Sequence, residues 1–216
     1  MKTTFQDADV DIFNQSARII IAGSSNSGKT QLTTNLALKY ANKFDIIIIC
    51  GIAQHDLEKS AIDIQVKVFP DIVNPFDYVD DHNKSKGLLY ILDDCFLEAS
   101  QNRYVVDAFT KGRHSNISII FITQNLFFSG KHARNISLNA SHYILTKTRD
   151  RGQIELLGRQ LFGKNKASDF GEIYKKALYV RNYGYLLIDL AATTSEELQL
   201  RTNIVGEPPF ELVYQW

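Results

Sequence analysis

The stretch that decides the fold is Gly23-Ser-Ser-Asn-Ser-Gly-Lys-Thr30. A glycine, four further residues and then Gly-Lys-Thr is the spacing of a phosphate-binding loop, the Walker A motif. The apolar run 18–22 precedes the loop, and a helical pattern over residues 29–42 follows it. Strand, loop and helix in this order are the context that the motif requires, and they disfavour an accidental glycine-rich turn.

Each part of this loop has a chemical task. Glycines allow a tight turn whose backbone N–H groups point at phosphate oxygens, and the following helix adds its positive amino end. Lys29 is predicted to contact the β- and γ-phosphates, and Thr30 to offer its hydroxyl to Mg²⁺. The sequence therefore predicts ATP and Mg²⁺ as ligands. The predicted nucleotide-binding residues are Gly23, Ser24, Ser25, Asn26, Ser27, Gly28, Lys29, Thr30 and Gln31.

Two adjacent acids follow the apolar run 88–92, as in a Walker B motif. Asp93 is predicted to hold Mg²⁺ through water, and Asp94 to orient and polarise the attacking water. The alternative is that these acids cap the helix after the strand, since aspartate is common at that position.

The apolar run 117–123 also ends in a polar residue, Gln124. If this strand lies between the Walker A and Walker B strands, Gln124 arrives beside the γ-phosphate, where its amide can align water. The alternative is a cap on a turn or helix.

Several arginines could supply a positive charge to a neighbouring subunit's γ-phosphate, as an arginine finger does. Arg113, on the basic loop 111–114, is the first choice because that loop precedes the strand of Gln124. Arg134 is the rival, and Arg149 and Arg151 are further candidates. For any one arginine, a solvated surface position is the simpler interpretation.

The apolar pattern predicts an α/β fold with a parallel sheet covered by helices on both faces. The chain has 216 residues, of which 44% are hydrophobic and 22% charged, which suits one domain over 1–216. Strands are predicted at 18–22, 44–50, 66–69, 88–92, 117–123, 142–146 and 185–189. Helices are predicted at 29–42, 102–111, 133–139, 151–162 and 167–176. Residues 70–86 are predicted to be irregular, and the tail 203–216 to lie along the surface or on a neighbour.

Composition limits the setting of the protein. The sequence contains no run of eighteen apolar residues, so it predicts no membrane span. Its first residues lack the apolar block of a signal peptide. Cys50 and Cys95 each follow a strand-like run, so buried free thiols are favoured over a disulfide, which suits a reducing intracellular compartment.

Charge is unevenly distributed along a neutral chain. Residues 101–166 contain eleven Lys or Arg and three Asp or Glu, a local net charge of +8, and the remainder carries −8. Such a segment either forms a polyanion-binding face or spreads its charges over solvated surface.

Taken in order, these motifs resemble a family. Ile91-Leu-Asp-Asp94, Gly112-Arg-His-Ser-Asn-Ile-Ser118 and Phe121-Ile-Thr-Gln-Asn125 follow the phosphate-binding loop. Ser137-Leu-Asn139 and Thr148-Arg-Asp-Arg151 come after them. The pattern is similar to the poxvirus-type genome-packaging ATPases of the FtsK/HerA superfamily, particularly the small versions of virophages and polinton-type elements. The resemblance covers about residues 15–190.

The resemblance implies an additional-strand P-loop core with sheet order 5-1-4-3-2. It implies a homo-oligomeric ring, here expected to have five or six subunits, with ATP sites at the interfaces. It further implies that double-stranded DNA is driven through the ring into a preformed capsid, with capsid vertex proteins as partners. The expected location is inside the host cell, at the assembling virion in a virus factory or nucleus. One departure is Asp94, where many relatives carry Glu.

Two other functions fit a P-loop domain of this size. A nucleoside or nucleotide kinase would need an acceptor pocket and an arginine-rich lid, which Arg149-Asp-Arg151 could imitate. A nucleotide-dependent switch that assembles a capsid vertex would hydrolyse little ATP. Stimulation of turnover by DNA distinguishes the translocase from both.

Overall fold

The computed structural model describes residues 2–6, 11–51, 56–59, 64–79, 86–93, 95–205 and 211–216. Within these ranges ten strands form one sheet: β1 (Lys2–Gln6), β2 (Arg18–Ala22), β3 (Phe44–Cys50), β4 (Gln65–Phe69), β5 (Gly87–Leu92), β6 (Ile117–Thr123), β7 (His142–Leu145), β8 (Leu186–Asp189), β9 (Leu200–Thr202) and β10 (Glu211–Gln215). The α-helices of the described ranges are α1 (Lys29–Lys39), α2 (Phe96–Ala99), α3 (Arg103–Lys111), α4 (Ala133–Asn139), α5 (Arg151–Phe162) and α6 (Ala167–Tyr179).

The sheet order is β1-β10-β9-β8-β7-β2-β6-β5-β3-β4. From β7 to β4 all neighbours are parallel, whereas β8, β9, β10 and β1 extend the sheet as antiparallel strands. The five predicted core strands, taken as β2, β3, β5, β6 and β7, lie in the order β7-β2-β6-β5-β3. The predicted order 5-1-4-3-2 is therefore confirmed, and β6 lies between β2 and β5.

In the parallel strands inside the sheet, β2, β3, β5, β6 and β7, successive side chains point to opposite faces, and both faces are largely buried. On one face, Ile19, Ile47 and Ile120 pack with Leu36 of α1. The other face packs against the buried sides of α3, α4, α5 and α6. The prediction of helices on both faces is confirmed.

Most predicted elements occur with small changes at their ends. Residue 102 is not helical: its side chain accepts from the N–H of Tyr104 and caps α3. α1 ends at Lys39, before a 3₁₀ turn at Ala41–Lys43. The segment predicted to be irregular contains a 3₁₀ turn at Pro75–Tyr78, and its residues 80–85 lie outside the described ranges.

The prediction for the tail is wrong where the chain is described near its end. Residues 211–215 form β10, which pairs with β9 and β1, and both Val213 and Tyr214 are buried. The sequence did not show that a strand before the tail would pair with β10. That strand, β9, is only three residues long and carries a buried arginine, Arg201, where an apolar residue is expected.

A buried ionic network joins the antiparallel strands. The guanidinium of Arg201, which is fully buried, donates to Asp189 at 2.6 Å and to Glu211 at 3.1 Å. His142 Nε2 lies 3.2 Å from the other oxygen of Asp189, and His142 Nδ1 lies 2.9 Å from the hydroxyl of Ser141. The network therefore connects β7, β8, β9 and β10 through side chains.

Cys50 and Cys95 are buried and free, as predicted. Burial is the main cause that raises the pKa of Cys95 to about 12, so its thiol stays protonated at neutral pH. Across the described ranges, no helix combines the length and apolar character needed to cross a membrane.

Candidate nucleotide-binding site

The phosphate-binding loop lies where the carboxyl ends of three parallel strands meet. The N–H of Gly23 donates to the carbonyl of Thr123 at the end of β6 at 3.3 Å, and the N–H of Ser24 donates to Lys147, just after β7, at 2.9 Å. Both bonds fix the loop between its neighbouring strands. The loop then leads directly into α1, whose first-turn N–H groups have no side-chain cap. Such a helix end favours an anion.

Gly28 is the residue at which the loop becomes a helix. Its φ is +86°, in the left-handed region that glycine adopts without strain. A Cβ atom at this position would lie 3.1 Å from the Cβ and Cδ1 atoms of Tyr183. The glycine of the motif is thus required by both backbone conformation and space.

Lys29 folds back across the loop. Its ammonium donates to the carbonyl oxygens of Gly23 and Ser24, both at 2.9 Å. These bonds hold a positive charge over the loop, at the place where the Walker A interpretation puts the β- and γ-phosphates.

Thr30 and Asp93, 63 residues apart, meet at the predicted metal position. The hydroxyl of Thr30 donates to Asp93 Oδ2 at 2.7 Å, and Asp93 is buried. A hydroxyl and a carboxylate are the hard oxygen ligands that Mg²⁺ takes, with phosphate oxygens and water completing its shell. The described residues form no group of three or more His, Cys, Asp or Glu that could hold a metal alone. The pair fits Mg²⁺ bound together with a nucleotide; its metal role stays a prediction.

Gly51 supports Asp93 and was missed by the sequence analysis. The N–H of Asp93 donates to the carbonyl of Cys50 at 3.0 Å. A Cβ atom at Gly51, where φ is +124°, would lie 1.7 Å from the backbone oxygen of Asp93. The available signal was a glycine directly after a predicted strand.

Gln124 directly follows β6 and is exposed. Since β6 lies between β2 and β5, Gln124 shares the carboxyl edge of the sheet with the phosphate-binding loop and Asp93. The topological premise for its role is confirmed, and the role itself stays a prediction. Asp94 lies outside the described residues.

The segment that follows β7 clamps the loop from the other side, which the sequence analysis did not anticipate. The hydroxyls of Ser27 and Thr146 lie 2.7 Å apart and are buried, and the N–H of Arg149 donates to the hydroxyl of Ser24 at 3.1 Å. Asp150 caps α5 by accepting from the N–H of Gly152. Arg149-Asp-Arg151 is therefore a turn and a helix start fixed against the loop, not a separate arginine-rich lid.

The arginine candidates lie at different edges of the sheet. Arg113 is exposed on the turn Gly112–Ser115, before β6, and so lies at the opposite end of that strand from Gln124. It faces Arg18 at the start of β2: burial first, and then repulsion from Arg113, lowers the pKa of Arg18. Arg113 thus precedes the strand of Gln124, as expected, and lies at the opposite edge of the sheet from the phosphate-binding loop of its own subunit.

Arg134 lies in the first turn of α4 and is exposed. Because α4 returns the chain from the end of β6 to the start of β7, this turn begins on the side of the phosphate-binding loop. The finger role of either arginine stays a prediction.

Comparison with known proteins shows similarity in structure but not in sequence. No protein-family model matches the chain, and no curated protein matches it. The genome-packaging NTPase B204 from Sulfolobus turreted icosahedral virus 2, in complex with ATP-γS, superposes with a TM-score of 0.56 at 18% identity, covering 88% of this chain and 97% of that one.

Two further structures are similar. The DNA-packaging ATPase B204 from Sulfolobus turreted icosahedral virus gives a TM-score of 0.56 at 18% identity over 84% of this chain and 96% of B204. The pCW3 conjugation coupling protein TcpA, with ATPγS, gives 0.55 at 14% identity over 85% of this chain and 59% of TcpA. These likenesses show the fold: a mainly parallel α/β sheet of the kind found in the B204 NTPase and in TcpA.

Proposed function

We propose that this protein hydrolyses ATP and uses the energy to move double-stranded DNA, packaging a viral or virus-like genome into a preformed capsid. The observation that carries the proposal is the joint placement of the phosphate-binding loop, the Thr30–Asp93 pair and Gln124 at one edge of the sheet. Phosphoryl transfer from a nucleotide uses a phosphate-binding loop, a metal-holding pair and a water-aligning residue together.

Each residue has a distinct part in hydrolysis. The loop N–H groups and Lys29 bind the β- and γ-phosphates and neutralise charge as the γ-phosphoryl group leaves. Thr30 and Asp93 would hold Mg²⁺, which when bound neutralises the developing phosphate charge. Asp94 polarises the attacking water, and Gln124 aligns it.

DNA as the cargo is supported by charge and by the similar proteins. Three of the helices on one face of the sheet carry basic residues of the +8 segment, including the exposed Arg103, Lys111 and Arg159. Both B204 structures are described as genome- or DNA-packaging proteins. The proposal includes a ring of five or six subunits, capsid vertex partners, a place at the assembling virion inside the host cell, and kinship with virophage and polinton-type ATPases.

The test is ATPase rate against added duplex DNA, with particle mass measured on the same sample. The expected result is turnover that rises with DNA in a ring-sized particle, and that Lys29→Ala abolishes. Turnover that ignores DNA but phosphorylates an added nucleoside would establish the kinase instead. Stable assembly with a nonhydrolysable analogue, with little turnover under any condition, would establish the capsid-vertex switch.

A further inference from the structure

Two clefts flank the phosphate-binding loop, and the turn of residues 181–184, between α6 and β8, borders both. The first has a volume of about 560 Å³ and lies between this turn and α1, with Gly28 and Asn35 in its wall. The second, of about 580 Å³, has Lys147 and Tyr179 in its wall. We name them the α1 cleft and the α6 cleft.

Tyr183, in this turn, is held in an unusual position. Its φ is +57°, a left-handed conformation that is costly for a bulky residue, and its side chain is 70% exposed. Its Cβ, Cγ and Cδ1 atoms lie 3.1–3.2 Å from where a Cβ of Gly28 would be. A strained backbone thus presents an aromatic ring to solvent against the phosphate-binding loop, and such strain is concentrated at functional sites.

The turn is rigid before any ligand arrives. The N–H of Gly184 donates to the carbonyl of Arg181 at 3.0 Å, and the Arg181 guanidinium donates to the side chain of Asn203 at 3.1 Å. The next residue, Tyr185, is fully buried and its hydroxyl accepts from the N–H of Val205. These bonds fix the backbone on both sides of Tyr183, so ligand stacking on its ring requires little ordering of the turn.

The α1 cleft continues directly from the phosphate site, since Gly28, Lys29 and Thr30 all line it. A nucleotide whose phosphates contact these three residues extends its nucleoside into this cleft. None of the described residues lining it is acidic; apart from Lys29 and Arg181, the polar groups are carboxamides and hydroxyls. The cleft therefore lacks the carboxylate that could accept from both N1–H and the amino group of guanine.

We propose that the base of the bound nucleotide stacks on the ring of Tyr183 in the α1 cleft, where no described residue supplies a carboxylate that would favour guanine. The inference rests on the proposed function only in that the phosphates occupy the loop. Stacking tolerates any base because every base has a π-face, and a purine offers the larger one.

The experiment measures equilibrium binding of ATPγS, GTPγS and inorganic triphosphate, all with Mg²⁺. Tyr183→Asn removes the ring while tolerating positive φ, and Tyr183→Phe keeps the ring. We expect Tyr183→Asn to weaken the binding of both nucleotides by about 10-fold or more, as the loss of a base–aromatic stack does. The affinity for triphosphate should stay unchanged. Tyr183→Phe should bind all three within about twofold of the unaltered chain.

Tyr179→Asn is the matched control, because Tyr179 is 88% exposed and lines the α6 cleft but not the α1 cleft. Tyr179→Asn should leave the affinity for all three ligands unchanged. If Tyr179→Asn weakens nucleotide binding and Tyr183→Asn does not, the base does not stack on Tyr183. Equal losses of nucleotide and triphosphate in Tyr183→Asn would overturn the assignment as well. Failure of the unaltered chain to bind either nucleotide or triphosphate is a separate outcome, which contradicts the proposed function.

Discussion

The ammonium of Lys29 lies over the phosphate-binding loop on two carbonyl oxygens, in position for a γ-phosphate. Lys29→Ala removes a charge that stabilises the transferring phosphoryl group, so we expect turnover to fall by about 100-fold or more. Steady-state phosphate release measures this. Lys175→Ala is the control, because Lys175 is a surface residue paired with Glu172 on α6. Wild-type turnover in Lys29→Ala would remove the loop from the chemistry.

Gly51 is the second residue whose replacement should affect the site. In Gly51→Ala the new Cβ meets the backbone of Asp93, so the Walker B strand must shift and Mg²⁺-dependent nucleotide binding should weaken. Gly163→Ala is the control for backbone strain without a steric clash. The φ of Gly163 is +83°, and no atom lies within 4 Å of a Cβ added at this position. We expect both variants to lose stability in thermal unfolding, but only Gly51→Ala to lose Mg²⁺-dependent affinity for ATPγS. Equal affinities would show that Gly51 does not position Asp93.

Sequence reasoning found the residues whose signal is local and missed those whose partners are distant. The phosphate-binding loop is contiguous, and Asp93 and Gln124 each end an apolar run. Thr146 and Gly51 contribute through contacts with Ser27 and Asp93, more than forty residues away, and neither lies in a motif. Arg113 precedes β6 and Gln124 follows it, so the two residues lie at opposite ends of this strand, and the finger role of Arg113 stays a prediction.

At the scale of elements, the parallel strands were predictable because isoleucine-rich runs buried on both faces alternate with helices. The antiparallel extension was predicted only at β8. β9 is three residues long with Arg201 at its centre, and β10 begins with Glu211 and has only three consecutive apolar residues, so neither formed a clear apolar run. Those charges are instead satisfied by one another, in the network of Asp189, Arg201 and Glu211.

This network supports a prediction about stability. Arg201→Met leaves Asp189 and Glu211 buried without their cation, so we expect a loss of about 3–5 kcal/mol in the free energy of unfolding at pH 7. Urea unfolding measures it. Arg159→Met is the control: Arg159 is an exposed arginine 4.0 Å from Glu155, and its loss should change stability by no more than about 0.5 kcal/mol. A similar small effect at Arg201 would mean that the network adds nothing to the packing of β8 to β10.

The network also sets a pH dependence. Burial opposes ionisation of Asp189, but the hydrogen bond and charge of His142, with Ala191 and Arg201, outweigh it and lower the pKa of Asp189 below 3.8. A carboxyl group with a lowered pKa contributes stability that is present above its ordinary pKa and is lost as pH falls toward the folded value. The free energy of unfolding of the unaltered chain should therefore fall more steeply with pH below about pH 3.8. Asp189→Asn should begin to unfold at a higher pH than the unaltered chain. Identical acid transitions would contradict this.

At the scale of the whole molecule, the basic segment predicts how DNA is held. It contains no base-reading motif, so contacts should go to phosphates, and affinity should fall steeply with salt and vary little with sequence. Titrations of unrelated duplexes at several salt concentrations measure both. On this proposal the exposed Lys111, which lies 2.8 Å from Asp107 in the free protein, contacts a DNA phosphate, so Lys111→Ala should weaken binding of all duplexes alike and reduce the salt slope by about 1. A flat salt response would exclude a channel that follows the backbone.

The proposed ring can be tested through the arginine proposed to complete its nucleotide site. Lys29, Asp93 and Gln124 lie at one edge of the sheet, while Arg113 lies at the other, so on this proposal Arg113 acts on the nucleotide of a neighbouring subunit. Asp94→Asn should bind Mg-ATP without hydrolysing it, because the amide cannot take up a proton. Arg113→Ala keeps an intact Walker pair. Each variant should be nearly inactive alone, and a mixture should recover partial activity at interfaces that pair a good Walker site with a good arginine. Lys175→Ala mixed in the same way controls for loss of a surface charge. If rings that demonstrably contain both variants stay inactive, or if Arg113→Ala is fully active alone, the finger is not Arg113. The same pairing with Arg134→Ala then tests the residue that begins α4 on the nucleotide side.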